Sequence, residues 1–138
     1  MIVRLMLVLL TLAIQTWSMD RCALVNKLRE ANLTVKGYTV EDYTCMAYYM
    51  SRYDTSLHVS RSEYGVFQIN SYWWCYDGET PGRKNLCGLD CTKLLDADIE
   101  DDIKCLERIV SDPNGLSAWS DWGKNCEGKD LSNFTAGC

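Results

Sequence analysis

Apolar residues recur at helical spacing in two stretches of this chain, one near each end. Two sets of residues show this spacing: Leu24, Val25, Leu28 and Ala31, and Ile99, Ile103, Leu106 and Val110. Because positions three and four apart share one face of an α-helix, each set predicts an amphipathic helix. The sequence Asp-Pro-Asn-Gly at 112–115 predicts a turn that ends the second of these helices.

A further helix is predicted from Thr39 through Met50. Thr39 is a good helix cap, and Asp42 three residues later comes close to the capping-box pattern. This helix has an unusually aromatic face, formed by Tyr43, Tyr48, Tyr49 and Tyr53.

The stretch from Leu57 to Ile69 mixes β-branched and aromatic residues with Ser and Gly, which predicts a small hairpin. Helices near both ends with short strands between them indicate an α+β fold. The chain has 138 residues and shows no internal repeat or linker. We therefore expect one domain over residues 19–138.

Residues 1–18 have the pattern of a secretory signal. Arg4 precedes an apolar run from Leu5 to Ile14, and Thr16-Trp17-Ser18 resembles a cleavage site. A membrane anchor is the alternative, but the run is too short to span a bilayer. We expect a secreted, extracellular protein without a membrane span.

The overall charge is acidic. The chain has 14 basic and 19 acidic residues and a net charge of −5, and the predicted signal contributes only Arg4 to it. Nucleic acids and bacterial walls are anionic, so a net-negative protein gains no long-range attraction to them. We expect no nucleic-acid partner, although a local basic patch could offset this balance.

All eight cysteines follow the predicted signal. An even number in a small secreted chain indicates a disulfide framework, for which about 105 pairings are possible. A metal site is the alternative. Against it stand the absence of a Cys-x-x-Cys pair and the presence of a single histidine.

Several motifs occur in the order typical of one protein family. They are Glu63-Tyr64-Gly65-Val66-Phe67-Gln68-Ile69-Asn70, Trp73-Trp74-Cys75, Thr80-Pro81-Gly82, Asn85-Leu86-Cys87 and Ala118-Trp119-x-x-Trp122. From about Cys22 to Cys138 the chain resembles the C-type lysozyme and α-lactalbumin family. The resemblance implies a lysozyme-like fold, with a helical lobe and a small antiparallel β lobe on either side of a cleft. It also implies four disulfides: Cys22–Cys138, Cys45–Cys126, Cys75–Cys91 and Cys87–Cys105.

The resemblance places two catalytic positions in that cleft. Glycoside hydrolysis usually needs one carboxyl group to protonate the leaving oxygen and another to stabilise or attack the sugar. Glu63 matches the second position, with glutamate where lysozymes usually have aspartate. Met50 occupies the first, and a thioether has no proton to give. Whether the chain is an enzyme stays open, and His58 is the histidine that could substitute as the acid.

The residues that form the sugar-binding wall in this family are better retained than its catalytic pair. The resemblance implies substrate contacts at Gln68, Asn70, Trp73, Trp74, Asp112, Ala118 and Trp119. Aromatic faces stack on sugars, and fixed polar groups set their orientation. Trp119 could instead be a core residue, as could Trp122. The core alternative is weaker for Trp73 and Trp74, since neighbours in an extended segment point to opposite sides.

An acidic stretch from Lys93 to Asp102 indicates a calcium site, because Ca²⁺ prefers six to eight hard oxygen ligands. Resemblance to the calcium-binding branch of the family implies these ligands: the carboxylates of Asp96, Asp101 and Asp102 and the carbonyl oxygens of Lys93 and Asp98. A solvated acidic helix start is the alternative. We expect Ca²⁺ to have a structural role.

The α-lactalbumin branch does no chemistry itself but docks on a galactosyltransferase and changes its acceptor to glucose. The positions it uses correspond here to Tyr48-Tyr49 and Asn133-Phe134, which keep an aromatic character but not the family's residues. Asn32 and Asn133 each begin a glycosylation sequon. A glycan on Asn133 would crowd this surface, whereas unused sequons are the alternative.

Three functions follow from these observations. In the first, the chain is a monomeric, calcium-binding protein without normal muramidase activity, which binds an oligosaccharide, a glycoconjugate or a partner protein. In the second, it is an active muramidase that hydrolyses peptidoglycan with altered catalysis dependent on Glu63. In the third, it regulates a galactosyltransferase as in lactose synthase.

Overall fold

The structure is a computed structural model that describes residues 18–79 and 81–138. The helices are α1 (Arg21–Ala31), α2 (Val40–Ser51), α3 (Glu100–Val110) and α4 (Ser120–Asn125). The two strands are β1 (Glu63–Tyr64) and β2 (Ile69–Asn70). Short 3-10 helices cover Cys91–Leu94, Gly115–Ala118 and Ser132–Phe134. The predicted signal lies outside the described residues except for Ser18, so it stays a prediction.

Side-chain caps begin the first two helices, and the one predicted at Thr39 is confirmed. The Asp20 carboxylate accepts a hydrogen bond from the Ala23 amide and begins α1. Thr39 and Asp42 form a capping box, in which each side chain accepts from the other's backbone amide. These bonds satisfy amides that the first turn of a helix otherwise leaves unpaired.

The predicted hairpin is present but shorter than the sequence indicated. β1 and β2 pair antiparallel, with Glu63 opposite Asn70 and Tyr64 opposite Ile69. Gly65 and Gln68 both have positive φ values, of 77° and 49°. These left-handed residues turn the chain between the strands and limit each strand to two residues.

The four implied disulfides are all confirmed: Cys22–Cys138, Cys45–Cys126, Cys75–Cys91 and Cys87–Cys105. The first two join residues 116 and 81 positions apart and connect α1 and α2 to the C-terminal part of the chain. The other two hold the loop that follows β2, and Cys87–Cys105 attaches this loop to α3. Such bridges stabilise mainly by restricting the unfolded chain.

The core is built from the predicted apolar faces. Leu24, Val25 and Leu28 of α1 are buried. The apolar positions predicted for the second helix are buried as well: Ile99 just before α3, and Ile103, Leu106 and Val110 within it. Ala31 ends α1 and is exposed, so it does not extend the buried face. The result is a helical lobe and a small β lobe, in agreement with the predicted α+β class. In residues 18–79 and 81–138, no helix has the length and apolar character needed to cross a membrane.

Candidate carbohydrate-binding cleft

A central pocket of about 140 Å³ lies between the two lobes. Its walls combine the end of α2, the paired strands and the segment before α4. The lining residues are Met50, Glu63, Gln68, Asn70, Trp74, Ile109, Ala118, Trp119 and Ser120. The two predicted catalytic positions, Met50 and Glu63, therefore belong to one pocket although 13 positions separate them in the chain.

A wider outer pocket of about 500 Å³ continues the cleft. Asn70, Trp74 and Ala118 line both pockets, so the two form one groove. The outer pocket adds Trp73, Leu86, Asp112 and Asn114. All seven predicted substrate-contact residues thus line the groove, and their contact with a sugar stays a prediction.

Met50 gives the centre of the groove an apolar character. Its side chain is half-buried on the last turn of α2 and lines the pocket with Ile109 and Trp119. Glu63 is the single carboxylate among the described residues that line the central pocket. The site can therefore offer one carboxylate to a bound sugar, whereas acid-assisted glycoside hydrolysis requires a proton donor as well.

His58 lies outside the groove. The residue is exposed, its ring stacks on Tyr64 at a centroid distance of 4.1 Å, and its Nδ1 is 3.0 Å from the carbonyl oxygen of Glu63. The histidine thus contacts the backbone of β1 and lines neither pocket of the groove. This position does not favour a role as the replacement acid.

The expectation that Trp73 and Trp74 lie in an extended segment and point to opposite sides is wrong. The chain turns directly after β2, and the Trp74 amide donates to the carbonyl of Asn70, so residues 71–74 are not extended. Both indoles nevertheless line the outer pocket, and Trp74 also lines the central one. Trp73 is 45% exposed, which leaves a broad aromatic face available to a ligand.

Trp119 is both a core residue and a wall of the central pocket. It is buried, and its Nε1 donates to the carbonyl oxygen of Phe67 at 2.7 Å. This bond joins the segment before α4 to the turn between β1 and β2. Trp122 is a core residue only, and its Nε1 donates to the Asp42 carboxylate at 3.3 Å.

Two polar residues of the groove already use part of their hydrogen-bonding capacity within the fold. The Gln68 side-chain nitrogen donates to the carbonyls of Leu57 and Gly65, at 2.9 and 2.8 Å. The Asn70 side-chain oxygen accepts from the backbone amide of Tyr72. Gln68 therefore offers a ligand chiefly its oxygen, and Asn70 chiefly its nitrogen.

Arg108 contacts two residues of the outer pocket, and the sequence alone did not indicate this role. Its Nη1 donates to the Asp112 carboxylate at 2.6 Å, and its guanidinium lies 5.7 Å from the centre of the Trp74 ring. A spacing of four residues on a helix could have indicated the ion pair with Asp112. The contact with Trp74 could not be read from the sequence, because it joins distant parts of the chain.

The acidic stretch contains one buried carboxylate without a partner. Asp102 is 1% exposed, and neither of its carboxylate oxygens has a hydrogen-bond partner. Burial, with a further contribution from the neighbouring carboxylates, raises the pKa of Asp102 to about 8. An unpaired buried carboxylate is costly unless a cation or a proton compensates it.

The proposed calcium ligands Asp96, Asp98 and Asp101 are exposed around this buried carboxylate, as is Lys93. Among residues 18–79 and 81–138, no three His, Cys, Asp or Glu side chains are gathered as a metal site. The oxygen donors and the unpaired Asp102 fit a hard cation such as Ca²⁺. Calcium binding therefore stays a prediction.

Both predicted glycosylation positions are exposed. Asn32 ends α1 in the left-handed conformation, with φ 48°, and Asn133 lies in the last 3-10 helix. Next to Asn133, the Phe134 ring packs 6.1 Å from that of Tyr48, which also contacts Tyr49 and the Arg52 guanidinium. Attachment of a glycan at either position stays a prediction.

Comparison with known proteins agrees with this fold and groove. A model of the C-type lysozyme/alpha-lactalbumin family matches residues 17–138. The chain therefore belongs to the C-type lysozyme and α-lactalbumin family.

The individual relatives are named either sperm acrosome-associated protein 5 or lysozyme C. Sperm acrosome-associated protein 5 of Bos taurus is 49% identical over 124 residues, which cover 86% of this chain and 79% of the relative. Lysozyme C of Bufo gargarizans andrewsi is 45% identical over 131 residues, or 91% of this chain and 90% of the relative. The milk isozyme of lysozyme C from Canis lupus familiaris is 43% identical over 125 residues, or 86% and 96%.

Proposed function

We propose that this protein is a secreted, calcium-stabilised member of the family that binds an oligosaccharide or glycoconjugate without normal muramidase activity. One observation carries the proposal: Met50 lies in the same pocket as Glu63, in a groove whose aromatic wall is intact. The wall supports binding, and the thioether supports loss of hydrolysis.

The chemical argument concerns the leaving oxygen of the glycosidic bond. Without a proton donor the leaving group departs as an alkoxide, and general acid catalysis typically contributes about 10²- to 10⁴-fold to such a step. Glu63 alone can stabilise positive charge on the sugar but cannot protonate the opposite side of the bond. Sugar binding needs no such proton, so it survives the loss of the acid.

Secretion is part of the proposal. Four disulfides are typical of proteins that fold in an oxidising compartment. Relatives named sperm acrosome-associated protein 5 and relatives named lysozyme C are similarly distant from this chain. We therefore propose entry into the secretory pathway, with the acrosome and the extracellular space as the two destinations to test.

Calcium binding is also proposed. Asp96, Asp101 and Asp102 would supply carboxylate oxygens, and Lys93 and Asp98 would supply carbonyl oxygens. Support comes from the buried carboxylate of Asp102, whose oxygens have no partner. When bound, Ca²⁺ would supply positive charge that compensates this group and the acidic side chains around it.

The test combines binding and hydrolysis in one experiment. The mature protein is mixed with peptidoglycan and with a neutral chitin oligomer, in calcium, from acidic to neutral pH. Oligomer binding by calorimetry without release of shorter sugars is the expected result. Turnover that disappears in Glu63→Gln would contradict the proposal and support the muramidase alternative, which the retained Glu63 favours.

The third function, regulation of a galactosyltransferase, has one supporting observation. Tyr48, Tyr49 and Phe134 form an aromatic cluster covered by Arg52. A galactosyltransferase assayed with and without the protein tests this alternative. We expect no gain in transfer to glucose, because the specific residues of the α-lactalbumin branch are absent at these positions.

A further inference from the structure

Three consecutive aromatic residues each have a cationic side chain near the ring, and two of them, Trp73 and Trp74, line the outer pocket. Arg83 lies 4.2 Å from the ring centre of Tyr72, and Lys84 lies 5.8 Å from that of Trp73. Arg108 lies 5.7 Å from that of Trp74. We call these six residues the cationic rim. Attraction between a cation and an aromatic face holds such pairs together.

The rim is held in place by the backbone. The Leu86 amide donates to the carbonyl of Trp73, and the Cys87 amide donates to that of Trp74, both at 2.9 Å. The disulfide from Cys87 to Cys105 fixes the same segment to α3. Arg83 and Lys84 are thus carried by a segment that is bonded directly to the tryptophans of the outer pocket.

Two of the three cations have no carboxylate partner. Arg108 pairs with Asp112, whereas neither Arg83 nor Lys84 forms an ion pair within the described part of the chain. The Nε and Nη1 atoms of Arg83 are buried and have no hydrogen-bond partner. Arg83 as a whole is half-buried, so a ligand can reach its guanidinium only through the atoms that are not covered, where an unpaired positive charge favours an anionic group.

The rim also contrasts with the rest of the molecule. The chain has a net charge of −5, yet the described residues of the segment from Pro81 to Leu89 include two cations and no acid. Among the acidic residues of the described part of the chain, Asp112, which lines the outer pocket, is bound by Arg108, and Glu79 lies 3.6 Å from Arg61. Glu63 is the carboxylate deeper in the groove.

We propose that the outer part of the groove selects anionic oligosaccharides, which carry carboxylate or sulfate groups. The sugar faces would stack on Trp73 and Trp74, and the anionic substituent would bind Arg83 and Lys84. This inference rests on the proposed carbohydrate-binding function and adds the charge of the ligand to it. An acidic protein would bind an acidic glycan only through a local positive surface of this kind.

Matched ligands test the proposal. Chitin oligomers of one length are prepared in neutral, carboxymethylated and sulfated forms, and their affinities are measured by calorimetry on the mature protein in calcium. We expect at least one anionic form to bind about tenfold more tightly than the neutral form at low salt, and the advantage to shrink in high salt. The form with the larger advantage identifies carboxylate or sulfate as the recognised group.

Variants connect the preference to the rim. The double variant Arg83→Gln with Lys84→Gln should remove most of the anionic advantage and leave neutral binding within about twofold, because the tryptophans remain. Lys84→Gln alone should remove part of it and covers the case in which the double variant folds poorly. The control is Lys27→Gln with Lys129→Gln, which removes the same charge from exposed positions that line neither pocket of the groove.

The outcomes separate the two proposals. Equal affinity for neutral and anionic oligomers overturns the anionic preference and leaves the carbohydrate-binding function standing. An anionic advantage that both double variants reduce equally also overturns it, since net charge rather than the rim would be responsible. Binding of no oligomer overturns both proposals.

Discussion

Whether the groove can hydrolyse a sugar depends most directly on one residue, Met50. Its side chain is half-buried and lines the same pocket as Ile109 and Trp119, in surroundings that would hold a carboxyl group partly desolvated. Burial of this kind raises the pKa of an acid and keeps it protonated at mildly acidic pH, as a proton donor requires. The pocket therefore accommodates the thioether and would also keep an acid at position 50 protonated.

The substitution Met50→Glu tests whether the groove can still hydrolyse a sugar. We expect hydrolysis of a neutral chitin oligomer to rise by about 100-fold or more over the wild type, because the variant supplies the missing proton donor. Met50→Gln is the control, since it has a similar size and no acid. Binding without hydrolysis in the Glu variant would mean that the groove itself has diverged.

Tyr43 is a second residue with an unusual environment. It is 1% exposed, its hydroxyl has no hydrogen-bond partner, and burial raises its pKa to about 12. The folded state therefore keeps the phenol protonated at pH values where the unfolded state has already ionised. Stability should be unaffected below pH 10.0 and should fall as the pH rises from there to about 12.

The variant Tyr43→Phe should lose part of this alkaline sensitivity. At neutral pH we expect its free energy of unfolding to equal or exceed that of the wild type by up to about 1 kcal/mol, because an unsatisfied hydroxyl is removed. Urea unfolding at neutral and alkaline pH measures both effects. Tyr76→Phe, at an exposed position, should change neither, and a marked loss of stability in Tyr43→Phe would show that its hydroxyl has a partner.

At the level of elements, the contact between β1 and the acidic stretch depends on Gly65. This residue has a φ of 77°, and a Cβ atom there would lie 2.0 Å from the Leu94 carbonyl oxygen and 2.9 Å from Oδ2 of Asp102. The absence of a side chain thus lets the strand that carries Glu63 pack directly on the stretch that holds the proposed calcium ligands.

The variant Gly65→Ala should destabilise the fold strongly. Gly37 is a matched control, because it has a similar φ of 73° and a Cβ atom added to it would meet no other atom within 4 Å. We expect Gly37→Ala to cost about 1 kcal/mol from backbone conformation, and Gly65→Ala to cost at least about 3 kcal/mol because a backbone clash is added. Equal costs in urea unfolding would show that the two elements separate easily.

For the whole molecule, the proposed calcium site should affect global stability. A ligand present at about 100 times its dissociation constant stabilises a fold by about 2.7 kcal/mol. For a domain of this size we expect Ca²⁺ to raise the Tm by about 10 °C and chelation to reverse the change. Calorimetric scans with Ca²⁺, with Mg²⁺ and with chelator measure this response.

Asp102→Asn separates a calcium site from a general effect of salt. In chelator the variant should be at least as stable as the wild type, because a buried, unpaired carboxylate is replaced by an amide. Its Tm should no longer respond to Ca²⁺. Asp121→Asn in α4 should keep the response, and a response retained by Asp102→Asn would argue against Asp102 as a ligand.

The local features of the fold were determined by the sequence itself. The Asp42 capping box, the apolar faces of α1 and α3 and the turn after α3 all depend on residues three or four positions apart. The disulfide pairing followed from the family resemblance, since the cysteine spacing alone left many pairings open. Secretion, glycosylation and calcium binding are still predictions.

The tertiary structure decided which distant residues share a surface. It joined Met50 to Glu63 in one pocket, kept His58 outside that pocket, and brought Arg83 and Lys84 over the rings of Tyr72 and Trp73. It also corrected the extended path expected at 73–74, because the chain turns as soon as β2 ends. Such contacts depend on how strands, helices and disulfides pack together, and the spacing of residues along the chain does not contain that information.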